Sequence, residues 1–154
     1  MEEKCLVFIK PEAIEIAEEI FNYLDNELKE KFEKTKPKIV EKIPEPTIRE
    51  HYTHLKNMEK FPNIINEFTS GKIIITVYSG EDIIKRIREI VGPTDPSKAP
   101  NNTVRGKFGK DSLENANKEN RGCRNTIHAS GNTKDAEREI KIWAEHLARK
   151  LTEF

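Results

Sequence analysis

Lys72-Ile73-Ile74-Ile75-Thr76-Val77-Tyr78 is the stretch on which the fold turns. Its β-branched side chains are stiff at the first torsion and favour the pleated, crowded setting of a strand. The run is nearly unbroken by polar residues, and it predicts the strongest strand in the chain. Upstream, Phe61, Ile64, Ile65 and Phe68 recur at helical spacing and are closed by Ser70-Gly71. Downstream, Ile83, Ile84, Ile87 and Ile90 mark a second amphipathic helix, stopped by Gly92-Pro93.

Farther out the same logic repeats. Cys5 to Ile9 reads as a buried strand ended by Lys10-Pro11. Ala17, Ile20, Phe21, Leu24, Leu28 and Phe32 then predict a long amphipathic helix. Pro37 to Ile43 predicts a short edge strand, ended by Pro44 and Pro46. Thr47 and Glu50 form a capping-box pattern that opens a helix through His51 and Tyr52 to about Lys56. Between Gly92 and Cys123 periodicity disappears, in a stretch too long to be a simple connector. Arg124 to His128 predicts a last strand, and Ala136, Ile140, Trp143, Leu147 and Leu151 a C-terminal helix. Two β-α-β units with an inserted helical pair imply an α+β fold. The expected form is a ferredoxin-like four-stranded antiparallel sheet (βαββαβ) with added helices, in one domain over residues 1–154.

The 154 residues carry 27 Lys and Arg against 27 Asp and Glu, so bulk charge selects neither nucleic acid nor membrane as a partner. Cys5 and Cys123 lie outside any zinc or redox spacing, and two reduced thiols are expected. The first apolar run is too short for a signal segment or a membrane span, so the expected compartment is the cytoplasm.

No phosphate loop, no GxGxxG and no protein-kinase catalytic loop is present. Any nucleotide phosphate must therefore be held by side chains. Lys98 to Arg124 holds seven Lys or Arg against three Asp or Glu, a local anion trap within a neutral chain. Lys10, Arg88 and Arg105 are the candidate grips, next to loop glycines and Thr94. Of four histidines, His146 lies among Glu145, Arg149 and Lys150 and reads as a surface residue. His51 and His54 have helical spacing for a shared metal, but no third ligand presents itself. His128 stands at a strand exit, where catalytic groups concentrate.

Asn125-Thr126-Ile127-His128-Ala129-Ser130 resembles the active-site signature of nucleoside diphosphate kinases, Asn-x-x-His-(Gly/Ala)-Ser-Asp. Phe8-Ile9-Lys10-Pro11-Glu12, His51-Tyr52 with Leu55-Lys56, and Ser70-Gly71 agree in order. So do Gly92-Pro93-Thr94-Asp95-Pro96, Thr103-Val104-Arg105-Gly106, Ala136-Glu137-Arg138-Glu139-Ile140 and Trp143. The resemblance spans essentially the whole chain and implies ping-pong transfer of the γ-phosphate of a nucleoside triphosphate to a nucleoside diphosphate through a phosphohistidine at His128. It implies that Glu139 steers the imidazole, that Ser130 stands near nucleophile and leaving group, and that Lys10, Tyr52, Arg88, Thr94, Arg105 and Asn125 grip the phosphates. It further implies Mg2+ carried in by the nucleotide without a permanent protein cage, and a homo-oligomer, hexamer or tetramer.

This sequence departs from the family pattern at four places. Gly131, followed by Asn132, stands where the family has Asp. Lys60, with Phe61 beside it, stands at the aromatic base platform. Lys107 to Arg124 is longer than usual, and Arg-Gly-Leu is missing after Pro11. The alternative to an active kinase is a nucleotide-binding or interaction module of the same fold with weakened turnover. An RNA-binding ferredoxin-like domain fits poorly, because no RNP-type aromatic strand is present.

Overall fold

The structure is a computed structural model that describes residues 2–152, with side chains through Leu147. Strand β1 (Glu2–Ile9) is followed by a 3-10 turn (Pro11–Ile16) and α1 (Ala17–Glu27). Short strands β2 (Glu33–Lys34) and β3 (Lys38–Val40) lead to α2 (Glu45–His51), a 3-10 turn (Thr53–Leu55) and α3 (Phe61–Thr69). Then come β4 (Ile73–Glu81), α4 (Ile83–Val91), a 3-10 turn (Pro96–Lys98), α5 (Val104–Phe108), α6 (Leu113–Lys118), β5 (Ile127–Ala129) and α7 (Thr133–Thr152).

The sheet order is β2-β4-β1-β5, with β3 also on β4, and every pairing is antiparallel. This is the expected ferredoxin-like α+β sheet with extra helices. Its two central strands face helices on both sides, which is why Cys5–Ile9 and Ile73–Val77 read as nearly continuous apolar runs. Cys5, Val7 and Ile9 join α1 and α4 in one core; Leu6, Phe8, Ile73 and Ile75 join α2, α3 and Trp143 of α7 in the other. Tyr78 is fully buried, and its hydroxyl donates to Asp25 of α1. Both cysteines are free thiols, and burial pushes Cys5 up to about 12, which leaves it inert.

The predicted Pro37–Ile43 strand is instead one edge position split in two. Pro37 has no N–H to give, so pairing lapses between β2 and β3. Thr35 bridges the gap: its N–H donates to Val77 O (3.0 Å), and its hydroxyl accepts from Val77 N (3.0 Å). The Thr47–Glu50 capping box does not form. The helix begins earlier, at Glu45, with Pro46 in its first turn, where a fixed φ and a missing N–H are tolerated, and Thr47 is buried inside it. The predicted extension to Lys56 breaks at Tyr52 into a 3-10 turn, and α1 ends before Leu28 and Phe32. The last strand is Ile127–Ala129, so it starts later than predicted. Leu151, the end of the predicted α7 stripe, lies outside the residues whose side chains are described.

The aperiodic stretch is ordered by side chains where apolar periodicity is lacking. Thr103 and Ser112 cap α5 and α6 through their hydroxyls. Arg121 holds the segment by a bidentate pair with Asp111 (2.7 and 3.0 Å) and a bond to Glu119 (2.9 Å). Asp111 Oδ2 also accepts from Arg124 N at 2.8 Å. The bond from Arg121 is the main cause holding the Asp111 carboxyl well below the usual range. Its contribution to stability is therefore complete above the ordinary carboxylate pKa and is lost as pH falls through the depressed folded value. Arg121→Ala strands the Asp111 charge and should cost about 3 kcal/mol. Urea unfolding at neutral pH checks the magnitude, and faster amide exchange over residues 111–121 checks the location.

Candidate active site

His128 owes its position to the short β5–β1 ladder. It pairs with Phe8, and the two rings stack at 4.8 Å with an interplanar angle of 25°. The ladder is anchored at both ends: Lys10 N donates to Thr126 O at 2.8 Å, and Ser130 N to Leu6 O at 3.0 Å. Before β5 the backbone turns tightly, with Ile127 N donating to Asn125 O (2.8 Å) across Thr126 at φ 69°. Positive φ at a β-branched residue is strained, and it occurs here two residues before the histidine.

Glu139, one of α7's buried residues, reaches back to the strand. Its Oε1 lies 3.0 Å from His128 Nε2 and accepts from the Ser130 hydroxyl at 2.7 Å. Ser130 Oγ in turn accepts from Leu6 N at 2.9 Å, so the carboxylate is tied to the central strand. Burial opposes ionisation of Glu139, but the bonds from His128 and Ser130 prevail and hold it below its ordinary value. Burial also drives His128 below its ordinary value; Glu139 partly offsets this, and Lys10 and Arg105 add to it. The ring is therefore neutral near pH 7. With Nε2–H directed at the carboxylate, the lone pair resides on Nδ1.

The ring borders a cleft of roughly 1060 Å³, lined by Lys10, Lys60, Arg88, Arg105, Arg124 and Arg138 among others. That space is ample for a nucleotide. Arg105 also braces the site, donating to the carbonyls of Gly92 (3.1 Å), Asn125 (3.3 Å) and Ile127 (2.8 Å). It can lie this deep because Gly106 follows it: a Cβ there would come within 2.0 Å of Pro100 O. Burial brings the Arg105 guanidinium down to about 10, still cationic at neutral pH. Lys10 Nζ donates to Cys123 O at 3.4 Å, and Asn125 Nδ2 to Thr94 O at 3.0 Å. Tyr52 borders the cleft, and burial, with Glu139 and Glu12 nearby, raises its phenol far above the usual range.

Lys10, Tyr52, Arg88, Thr94, Arg105, Asn125, His128 and Glu139 thus converge on one cleft. Ser130 is fully buried and touches Glu139 instead of the opening. Lys60 borders the cleft, tied to Asn117 by a 3.1 Å bond. Phe61 does not border it: the ring is buried beneath Arg49. Arg124, within the basic stretch, and Arg138, within the Ala136–Ile140 motif, border the cleft as well, beyond the candidates that the sequence marks.

One reading of the histidines changes. His146 is buried, edge-on to Trp143, because one helical turn places it on the same packed face. His51 does not share a metal with His54. It is buried against Phe8, Tyr52, Trp143 and His128, whereas His54 is exposed. His51, His128 and Glu139 do bring ligand atoms within 4.8 Å of one another. Trp143 Nε1–H donates to His51 Nδ1 at 3.1 Å, which puts the His51 proton on Nε2, a buried atom with no hydrogen-bond partner among the described residues, while Glu139 Oε1 serves His128 and Ser130. A cation there would have to break these bonds, so the donor set does not suit a resident metal.

No helix among the described residues is long and apolar enough to cross a membrane. The profile of the family described as nucleoside diphosphate kinase matches residues 3–148. A nucleoside diphosphate kinase of Methanothermobacter thermautotrophicus is 35% identical over 145 residues, covering 92% of this chain and 86% of the relative. Among solved structures, a transition-state mimic of the Borrelia burgdorferi nucleoside-diphosphate kinase with vanadate and ADP superposes with a TM-score of 0.83. It has 25% identity and covers 92% of this chain and 86% of that one. A halophilic nucleoside diphosphate kinase from Halobacterium salinarum in complex with CDP gives a TM-score of 0.77 at 26% identity, covering 92% and 87%. With the histidine, carboxylate and cationic cleft in one place, and a profile match over nearly its whole length, this chain belongs to the nucleoside diphosphate kinase family.

Proposed function

We propose that the chain transfers phosphoryl groups between nucleoside tri- and diphosphates through a covalent phosphohistidine on Nδ1 of His128. The observation that carries this is the bond between Nε2 and Glu139, which leaves Nδ1 as the nucleophilic atom of a ring that borders the cationic cleft. Nδ1 attacks the γ-phosphorus. A P–N bond forms as the bond to the β-phosphate oxygen breaks, and the diphosphate departs with that electron pair. A second diphosphate attacks the phosphohistidine, the P–N bond breaks, and the neutral ring returns.

Positive charge builds on the ring as the P–N bond forms, and Glu139, held ionised by its partners, stabilises it. Ser130 is a positioning residue that acts through Glu139. Lys10, Arg88 and Arg105 oppose the charge on the transferring oxygens, with Thr94, Asn125 and Tyr52 orienting them. Mg2+ bound to the nucleotide would neutralise part of the phosphate charge and fix the oxygens' geometry. The engaged donors of the His51–His128–Glu139 cluster favour a metal that arrives with the nucleotide.

Lys60 stands in the cleft lining at the expected base position, with Met58, Ile64 and Leu113 also in that lining, which supports a site that covers the base without reading it. Solved relatives with ADP and with CDP agree with that breadth. Homo-oligomerisation and a cytoplasmic setting belong to the same reading. Ile39, 57% exposed on the β3 edge, suits a subunit contact.

Wild-type chain incubated with γ-labelled triphosphate should acquire acid-labile label on His128 and release it to any added diphosphate. His128→Ala should reduce exchange below about one-thousandth of wild type. A labelled His128→Ala chain, or wild type that binds nucleotide but takes up no label, would overturn the mechanism. Glu139→Gln should slow labelling about 100-fold. Because the carboxylate raises the His128 pKa, its loss should also move the acid limb of the rate–pH profile to lower pH. A limb that stays in place, or moves up, contradicts the role given to Glu139.

A further inference from the structure

We propose that Asp135 positions the nucleotide's divalent cation at the phosphate end of the cleft, from space that a side chain at position 131 would otherwise occupy. The inference rests on the kinase reading and assigns a role that it leaves open.

A hard cation on phosphate oxygens recruits further oxygen ligands, directly or through its water shell. Four carboxylates among the described residues line the cleft: Glu12, Glu67, Asp135 and Glu139. Glu139 is committed to His128 and Ser130. Glu12 and Glu67 are each in the field of Lys10 and Arg124. Asp135 stands elsewhere, in the first turns of α7 beside Arg88 and Gly131.

Its placement is fixed. Asp135 Oδ2 accepts from Asn132 Nδ2 at 3.2 Å, while Asp135 N donates to Asn132 Oδ1 at 2.8 Å. Oδ1 has no hydrogen-bond partner among the described residues. A Cβ built on Gly131 would come within 3.3 Å of Asp135 Oδ2 and 4.0 Å of Arg88 Nη1. The carboxylate therefore hangs over bare backbone three residues beyond His128, where an acidic side chain at 131 would crowd it with like charge. Glycine at 131 and aspartate at 135 form one arrangement: a single negative charge, delivered from the helix instead of from the strand exit. A carboxylate held by a neutral amide and facing the nucleotide cleft is suited to hold a water of a phosphate-bound cation.

The test is calorimetric titration of the full chain with ADP, once with Mn2+ and once with EDTA. Asp135→Asn should leave metal-free ADP affinity undiminished, since it removes a like charge from beside the phosphates, and weaken Mn·ADP binding about tenfold. Adding Gly131→Asp to that variant should restore the preference for Mn·ADP. Unchanged Mn·ADP affinity in Asp135→Asn, an equal loss with and without metal, or no recovery in the double variant would each overturn the assignment. Wild type that binds ADP under neither condition would refute the kinase reading itself. Wild type that binds ADP with an indifferent Asp135→Asn refutes Asp135 alone.

Discussion

The three-residue ladder between β1 and β5 governs everything else in this molecule. It is short, but it joins the most deeply buried strand to the segment that carries the histidine. Backbone bonds at Lys10–Thr126 and Ser130–Leu6 close it on both sides, so β5 cannot slide by one residue. Such a slip would turn His128 to the opposite face of the sheet, among α1 and α4. On the face it occupies, the ring meets Phe8, His51 and Glu139. Fold and chemistry are therefore specified by the same few hydrogen bonds.

Charge in that setting is costly unless paired, and the site uses this. Glu139 is 4% exposed yet ionised, because two donors meet one of its oxygens. In the proposed transfer the imidazole beside it, kept neutral by burial, gains positive charge with the counter-charge already in place. In the same proposed transfer the cations that line the cleft do the complementary task for phosphate. Arg105 shows how closely binding and scaffolding overlap: the guanidinium that borders the cleft also fastens three loop carbonyls around it.

Much of this was legible in the residues, for identifiable reasons. Strands buried on both faces leave dense β-branched runs, and amphipathic helices leave periodic stripes, so β1, β4, α3 and α4 stood out. The signature around His128 and the Ala136–Ile140 motif marked the imidazole and the carboxylate that a 3.0 Å bond joins. Polar bookkeeping between distant residues was illegible. Nothing local marks Arg121 as the buried clamp of the 107–124 stretch, or His51 as a partner of Trp143. His146 looked solvated because its sequence neighbours are charged, but burial follows the helix face. Phe61 and Lys60 differ by one residue, and a one-residue step on a helix separates core from cleft. Asp135 carries no local signal, because its proposed role depends on a missing side chain four residues away.

The interrupted border of the sheet also bears on how the protein behaves at high concentration. A continuous outer strand would offer a row of free amides and carbonyls, an open invitation for another chain to stack on indefinitely. Here the pairing lapses at Pro37, and Thr35 turns both its N–H and its hydroxyl inward to Val77, so the edge does not run on as one strand. The surface left facing outward is a broken template, usable for a brief, specific meeting of subunits and unsuited to fibril growth.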